Sequence, residues 1–319
     1  TYLLLYLHRS FLCKYMTLVF PDEKSVEIAF DKAATYSLAK VSGIPTISTY
    51  IPETQEEIVR LSETLMYPAV IKTRRSVTWK DEVGIFGSAS FVQNKNELQE
   101  KFFELKERLG EAPLVQDLLR GEEYGVEMLA KEGIVYARVT HHRIRSLSPT
   151  GGASVLKETL RDGDLKSTLE AYAEKLVTRL SWDGPIMVEF KVDSDTREPK
   201  LMEINGRFWG SLPLSVIAGV DVPYLYYLQV TENNVPSPTA TGYEGVVSNH
   251  FLGDILHLVR VLVRRDPMRK YLYPTRIQAI RDFCILPLST KADVWSFQDP
   301  KPAFMEIIDI LKKSWSSLG

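Results

Sequence analysis

The chain has 319 residues, of which 45% are hydrophobic and 25% are charged, and its formal net charge is −2. This composition is ordinary for a globular protein with two or three packed subdomains, and the near-neutral charge argues against nucleic-acid or membrane-surface binding. Cys13 and Cys284 lie far apart, which argues against a disulfide framework or a zinc site and favours the reducing cytoplasm.

The first 21 residues open with an apolar run, TYLLLYL, that is too short to span a bilayer and lacks the flanking features of a signal peptide. Leu4, Leu7, Phe11 and Tyr15 recur at helical spacing and predict an amphipathic helix. Because the chain starts inside this helix and without methionine, we interpret residues 1–21 as a remnant helix of a preceding N-terminal domain.

Helix and strand patterns alternate along the rest of the chain. The predicted elements are a helix at 25–41, strands at 67–72 and 88–92, a helix at 94–110, strands at 113–119, 123–129 and 133–142, a helix at 164–180, and a hairpin formed by PIMVEFKVD (185–193) and KLMEIN (200–205). The pattern predicts an α+β fold with antiparallel strands, divided into subdomains at 22–112 and 113–236, and a helical C-terminal region at 237–319.

Polar side chains alternate along the last strand of the predicted hairpin. Glu203, Asn205 and Arg207 are two residues apart and therefore share a face, and Glu189 lies on the neighbouring strand. Two carboxylates and an amide oxygen suit Mg²⁺, and an arginine suits a phosphate or a carboxylate. The alternative is a solvated strand face with incidental charges.

Two lysines precede this hairpin in the chain. Lys72 ends an apolar strand, where an ammonium group would lie at the rim of a sheet, and Lys32 follows Asp31 in the first helix. Each is suited to a phosphate, although each taken alone is better explained as a solvated surface lysine.

The loop TRRSVTWKDEVGIFG (73–87) lies where a phosphate-covering lid would be expected, but it has few glycines. A lid of this composition would act through side chains rather than through the backbone, and an ordinary exposed loop is the alternative. The side chains in question are Arg74, Arg75, Ser76 and Lys80.

The segment VQDLLRGEEYGVE (115–127) reads as a strand, a turn at Gly121 and a second strand. Its backbone could bind an adenine edge, and Glu123 could accept hydrogen bonds from ribose, but a plain hairpin is the simpler interpretation. In THHRIRSLSPTGGAS (140–154), His141, Arg143 and Arg145 share one face if strand alternation holds. They could bind an anionic acceptor before a flexible glycine pair, or simply form a charged outer face.

The order of these motifs, from Asp31-Lys32 through YPAVIK, VQDLLRGEEY and VEF to MEINGRFWGSLPLSVIAGVDVP, resembles that of the ATP-grasp ligases. It looks closest to the carbamoyl-phosphate synthase and biotin carboxylase branch, and it covers residues 22 to 235. The resemblance implies two α+β subdomains that clasp ATP, the first with a lid and the second with a metal site.

The resemblance also implies a role for each matching residue. Lys32 and Lys72 would hold the ATP phosphates, Gln116 and Leu119 would bind adenine through the backbone, and Glu123 would hold the ribose. The metal ligands would be Glu189, Glu203 and Asn205, binding Mg²⁺ (or Mn²⁺), and Arg207 would lie beside the acyl phosphate, with Lys72 also assigned to catalysis. The glycine-poor loop after Lys72 and the reduced N-terminal domain depart from the family pattern.

The implied activity is an ATP- and Mg²⁺-dependent ligase that converts a carboxylate to an acyl phosphate for attack by an amine. A carbamoyl- or carboxyphosphate-forming enzyme and a nucleotide-binding regulatory protein without turnover are the alternatives. The expected partners are small carboxylate and amine substrates and, as an open option, a second copy of the chain.

Overall fold

A four-stranded antiparallel sheet, a larger mixed sheet that is mainly antiparallel, and a separate two-stranded hairpin make up the computed structural model, which describes residues 2–316 except 81, 82, 88, 238 and 288. The described helices are α1 (Tyr2–Leu7), α2 (Arg9–Leu12), α3 (Glu23–Phe30), α4 (Lys32–Val41), α5 (Gln55–Thr64), α6 (Lys95–Leu109), α7 (Asp164–Arg179), α8 (Leu212–Ile217), α9 (Val222–Glu232), α10 (Phe251–Val263), α11 (Arg269–Leu272), α12 (Arg276–Cys284) and α13 (Lys301–Ser316).

The strands fall into the two sheets and the hairpin. They are β1 (Thr49–Tyr50), β2 (Ala69–Lys72), β3 (Val77–Lys80), β4 (Val83–Phe86), β5 (Ala89–Val92), β6 (Leu114–Asp117), β7 (Gly121–Lys131), β8 (Ile134–Ser148), β9 (Gly151–Thr159), β10 (Gly184–Asp193), β11 (Pro199–Asn205), β12 (Ala240–Thr241), β13 (Val247–Asn249) and β14 (Lys291–Ala292). Residue 88 of the predicted strand 88–92 lies outside the described residues.

The larger sheet has the strand order β11-β10-β7-β8-β9-β13-β14, with β12 beside β8. Alternation along β7 sends Tyr124, Val126 and Met128 into a core that also buries Trp182 and the apolar face of α7. The odd-numbered residues of β7 and β10, and of β8 between residues 137 and 143, therefore lie on the opposite face of the sheet, which carries the polar residues described below.

The smaller sheet has the order β1-β6-β2-β5 and packs against α5 and α6. Helix α6 confirms the prediction for 94–110, because Asn94 caps its N-terminus and Gly110 ends it with a φ of 74°, a conformation that favours glycine. Phe102 and Leu98 on its inner face are completely buried.

The predicted single helix at 25–41 is wrong, because the chain breaks at Asp31. This residue has extended backbone angles, and its carboxylate accepts hydrogen bonds from the backbone amides of Ala33 (2.9 Å) and Ala34 (3.4 Å). It thus acts as the N-cap of α4, a role that aspartate commonly has and that the apolar spacing of the two helices did not reveal.

The N-terminal segment also differs from the prediction. In place of one amphipathic helix it forms two short helices, α1 and α2, and the side chains of Leu4, Leu7, Phe11 and Tyr15 are exposed. The apolar spacing therefore does not mark a face that packs within the described structure.

Residues 237–319 add three short strands, β12 to β14, to the larger sheet besides the expected helices. Two buried ion pairs join this region to the sheet: Arg145 with Asp254 (2.7 Å) and Lys157 with Asp293. The subdomain boundaries at residues 22, 113 and 237 stay predictions. Across the described ranges, every helix is too short or too polar to cross a membrane.

Candidate functional site

A cavity of about 570 Å³ lies between the two sheets, and residues from both sheets line it. All nine residues to which the family resemblance gives a role line this one cavity, although their roles stay predictions. They are Lys32, Lys72, Gln116, Leu119, Glu123, Glu189, Glu203, Asn205 and Arg207.

Two carboxylates meet across the β10–β11 hairpin on the wall of the cavity. Glu189 lies directly opposite Glu203, and the amide nitrogen of Asn205 donates to Glu189 Oε1 (3.0 Å) and Glu203 Oε1 (3.2 Å). Arg207 donates in turn to Asn205 Oδ1 (3.1 Å). The four residues predicted to share a face thus form one hydrogen-bonded set.

Cations surround these carboxylates. Arg143 on β8 donates to Glu123 Oε2 (2.8 Å) and to Glu189 Oε2 (3.1 Å), and so bridges two strands of the larger sheet. Lys32 at the start of α4 lies 3.1 Å from Glu203 Oε2, and Lys191 lies 3.4 Å from Glu123 Oε1. Each acidic side chain of the set therefore has a basic partner.

The pKa values of the two facing carboxylates are shifted in opposite directions. Burial raises the pKa of Glu189 to about 7, and repulsion from Glu203 adds to this effect, while Arg143 opposes it. Burial also acts to raise the pKa of Glu203, but Lys32 and Lys72 lower it overall. A bound cation would relieve the repulsion between the two groups.

The oxygens of Glu189, Glu203 and Asn205 fit a magnesium ion that also binds water and phosphate oxygens, because Mg²⁺ prefers hard oxygen ligands and rarely takes its whole shell from protein. Among the described side chains there is no group of three or more His, Cys, Asp or Glu that could hold a metal ion. The fit therefore depends on ligands from outside the chain and on the Asn205 amide, which here presents its nitrogen to both carboxylates and its oxygen to Arg207 and would have to turn over to bind the metal through oxygen.

Lys72 at the end of β2 faces this set from the smaller sheet. The residue is 8% exposed, and its ammonium group donates to the hydroxyl of Tyr36 (2.9 Å), which donates to the carbonyl of Met202 (2.7 Å). Burial lowers the pKa of Lys72 to about 8, with a further contribution from Lys32. The sequence analysis missed Tyr36, although its position four residues after Lys32 puts both on one helix face.

The interpretation of residues 115–127 as a plain hairpin is wrong. Strand β6 belongs to the smaller sheet and β7 to the larger one, so the residues between them cross from one sheet to the other. Leu119 in this connection lines the cavity, and the buried Gln116 side chain donates to Thr49 Oγ1 (2.6 Å). Glu123, at the start of β7, is held by Arg143 and Lys191.

The expected lid forms the β3–β4 hairpin, but its arginines do not reach into the cavity as predicted. Arg74 and Arg75 pair with Asp31 (2.8 Å and 3.1 Å), and Arg75 also pairs with Glu111 (2.6 Å). Ser76 and Gly87, at the base of the hairpin, line the cavity. The side chain of Lys80 lies outside the described part of the chain.

Neither of the two alternatives for β8, an anion site or a charged outer face, describes all three residues, because His141 is buried and a carboxylate of the protein pairs with Arg145. His141 is buried 3.2 Å from Glu127, and Arg145 pairs with Asp254. Irregularities in the β8–β9 pairing after Arg143 break the alternation on which the prediction depended. Gly151 and Gly152 begin strand β9 and line the cavity.

The chain is similar to one family model and to several proteins of known structure. Residues 110–249 match a family model described as ATP-grasp in the biosynthetic pathway with Ter operon. The fold is similar to the biotin carboxylase domain of Hydrogenobacter thermophilus 2-oxoglutarate carboxylase, with a TM-score of 0.59, 17% identity, and coverage of 74% of this chain and 52% of that one.

Two further solved structures are similar. Biotin carboxylase from Campylobacter jejuni has a TM-score of 0.60 and 14% identity, over 75% of this chain and 54% of that chain. N5-carboxyaminoimidazole synthetase from Staphylococcus aureus has a TM-score of 0.56 and 19% identity, over 75% and 61%. The chain thus spans about half to three-fifths of these proteins, and no curated protein matches its sequence.

The ion-pair geometry predicts different effects for two arginines of the site. Replacement of Arg143 by Met leaves Glu123 and Glu189 without their shared cation and should lower the free energy of unfolding by about 3 kcal/mol. Arg207 contacts only Asn205 Oδ1 and the Phe208 carbonyl among the described contacts, so Arg207→Met should change it by less than about 0.5 kcal/mol.

Urea denaturation of the nucleotide-free variants measures both effects. Equal destabilisation by the two substitutions would contradict the bridging role assigned to Arg143.

Proposed function

We propose that this chain, which has the ATP-grasp fold, is an ATP-dependent ligase that activates a carboxylate as an acyl phosphate and releases ADP and phosphate when an amine attacks it. The fold agrees with the prediction from the order of motifs. The observation that carries the proposal is the set of Glu189, Glu203, Asn205 and Arg207, which faces the lysines Lys32 and Lys72 across one cavity.

The nucleotide would lie between the sheets. The proposal assigns its phosphates to Lys72 and Lys32, its adenine to the backbone of residues 116–119, and its ribose to Glu123. The last assignment requires ribose hydroxyls to share the Glu123 carboxylate with Arg143 and Lys191, for which an ionised carboxylate has enough lone pairs.

Glu189, Glu203 and Asn205 would hold Mg²⁺ or Mn²⁺. The metal would supply neutralisation of charge on the phosphate oxygens during phosphoryl transfer. The biotin carboxylase domain of Hydrogenobacter thermophilus is described in complex with MgADP, ADP and bicarbonate, which supports a nucleotide and metal site in a fold of this kind.

The protein side of the reaction would be mainly positioning and electrostatics. Lys72 and Arg207 would lie on either side of the transferred phosphoryl group, where fixed positive charge stabilises the developing negative charge. Arg207 has room for this role because it contacts no carboxylate among the described residues. The reaction needs no covalent protein nucleophile.

A carboxyphosphate-forming activity is the second candidate, because bicarbonate is bound in the Hydrogenobacter domain. A nucleotide-binding protein without turnover is the third, since the lid arginines Arg74 and Arg75 are held by Asp31 and Glu111. The proposal further includes a homodimer, since that same domain is described as a dimer, and a cytoplasmic location, which the free cysteines Cys13 and Cys284 favour.

Isotope transfer distinguishes these activities. The chain is incubated with ATP, Mg²⁺ and a panel of amines with ¹⁸O-labelled carboxylic acids, and the phosphate released is analysed by mass spectrometry. Acyl-phosphate formation requires that one carboxylate oxygen appears in the phosphate when an active pair is present. Release stimulated by labelled bicarbonate alone would identify the second candidate, and nucleotide binding without any release would identify the third.

The lowered pKa of Lys72 predicts a pH-dependent affinity for ADP. The ammonium form predominates below pH 8, and binding of phosphates should raise this pKa, so affinity should be nearly constant below about pH 7 and fall above it. A rise of one unit on binding corresponds to a limiting loss of about tenfold in affinity, of which roughly sixfold occurs between about pH 7.5 and pH 9.5.

Lys72→Met should bind ADP more weakly at neutral pH and should lack this decrease. Lys95→Met, at an exposed lysine paired with Glu63, is the matched control and should behave like the wild type. Calorimetric titrations at several pH values measure the effect, and the same decrease in Lys72→Met would exclude Lys72 as its source.

A further inference from the structure

Glu127 on β7 is a completely buried carboxylate that none of the roles above uses. It lies opposite Met187, which lies opposite Asn205, so the three residues form a row across the sheet at the end of β11. Its neighbour His141 is 3.2 Å away, but burial holds the pKa of that histidine well below its usual range, with Arg143 and Lys157 adding to the effect. The Nδ1 atom of His141 makes no hydrogen bond among the described residues, so this histidine does not satisfy the Glu127 carboxylate.

The polar partners of Glu127 come instead from the segment that follows the metal-site strand. Ser211 Oγ donates to Glu127 Oε1, and Ser215 Oγ donates to Glu127 Oε2. Both serines are buried and lie four residues apart, so they present their hydroxyls on the same side of α8. One carboxylate thus holds the start of this helix at two points.

The segment between β11 and α8 forms part of the cavity wall and carries Arg207. At its first residue, Gly206, a Cβ atom would overlap the ring of Trp182, which shows how closely the backbone packs there. At its other end, Ser211 lines the cavity and binds Glu127. Residues 206–211 are therefore fixed at one end by packing and at the other by hydrogen bonds.

We propose that Glu127 is a positioning residue for Arg207, since it anchors, through Ser211 and Ser215, the segment that presents Arg207 to the cavity. The inference rests on the proposed function for the role of Arg207, but not for the anchoring itself. Removal of the carboxylate would leave two buried hydroxyl groups without their acceptor and free the C-terminal end of the segment.

Hydrogen exchange followed by mass spectrometry tests the anchoring without any ligand. Glu127→Leu should speed exchange in peptides covering 206–217 by about tenfold, with α6 unaffected, because only this segment loses its hydrogen bonds. Glu127→Gln, whose amide can still accept from one serine and donate to the other, should restore much of the protection. The double variant Ser211→Ala/Ser215→Ala removes the same bonds without altering Glu127 and should show the same faster exchange. It serves as the test if the leucine variant does not fold.

Glu170→Leu is the matched control. Glu170 is also a buried carboxylate, but its partners are Thr140 and Arg138, on the other face of the sheet. If Glu127 only stabilises the sheet in general, Glu127→Leu and Glu170→Leu should both speed exchange throughout the sheet. If Glu127 anchors the segment, exchange of residues 206–217 should be faster in the Glu127 variants alone. Unchanged exchange of these residues in Glu127→Leu and in the serine double variant would overturn the proposal.

Binding of inorganic phosphate to the MgADP-loaded protein tests the consequence for Arg207. Glu127→Leu and Arg207→Met should both weaken phosphate binding by about tenfold, and Glu127→Leu should leave the affinity for MgADP within about twofold of wild type. Phosphate binding lost in Arg207→Met but retained in Glu127→Leu would overturn the positioning role. Absence of MgADP binding by the wild type would instead refute the proposed function, and the exchange data would still decide whether Glu127 anchors the segment.

Discussion

The electrostatic cost of placing Glu189 opposite Glu203 determines much of the arrangement around the cavity. Two carboxylates at facing positions of a hairpin repel each other unless cations or donors lie between and around them. Asn205 donates to both, Arg143 holds Glu189, and Lys32 holds Glu203. These neighbours together offset the repulsion between the paired carboxylates.

The same constraint explains why distant parts of the chain meet at the cavity. Lys32 is brought to Glu203 by the break at Asp31, which starts a new helix beside the sheet, and Asp31 also holds the two lid arginines. A single aspartate therefore caps a helix, fixes the base of the lid and orients a lysine. The C-terminal region is joined to β8 by the ion pair of Arg145 with Asp254 and to β9 by that of Lys157 with Asp293.

Residues of the candidate site could be selected from the sequence because the patterns that mark them are local. The alternation of Glu203, Asn205 and Arg207 along one strand, and the position of Lys72 at a strand end, require no knowledge of distant contacts. The partners of Arg145, Arg74 and Glu127 could not be predicted, because each pairs with a residue between 43 and 109 positions away that only the folded chain brings near. The connection at residues 118–120 was misread for a related reason, since strand propensity does not tell which sheet a strand joins.

The central claim is that the face carrying Glu189, Glu203 and Asn205 binds a nucleotide through a metal ion. Calorimetric titration of the chain with ADP, with and without Mg²⁺, tests this most directly when Glu203→Ala is measured in parallel. The account predicts that Mg²⁺ strengthens ADP binding to the wild type and that this dependence on Mg²⁺ disappears in a folded Glu203→Ala variant. The same Mg²⁺ dependence in both proteins, or none in a wild type that binds ADP, would contradict it.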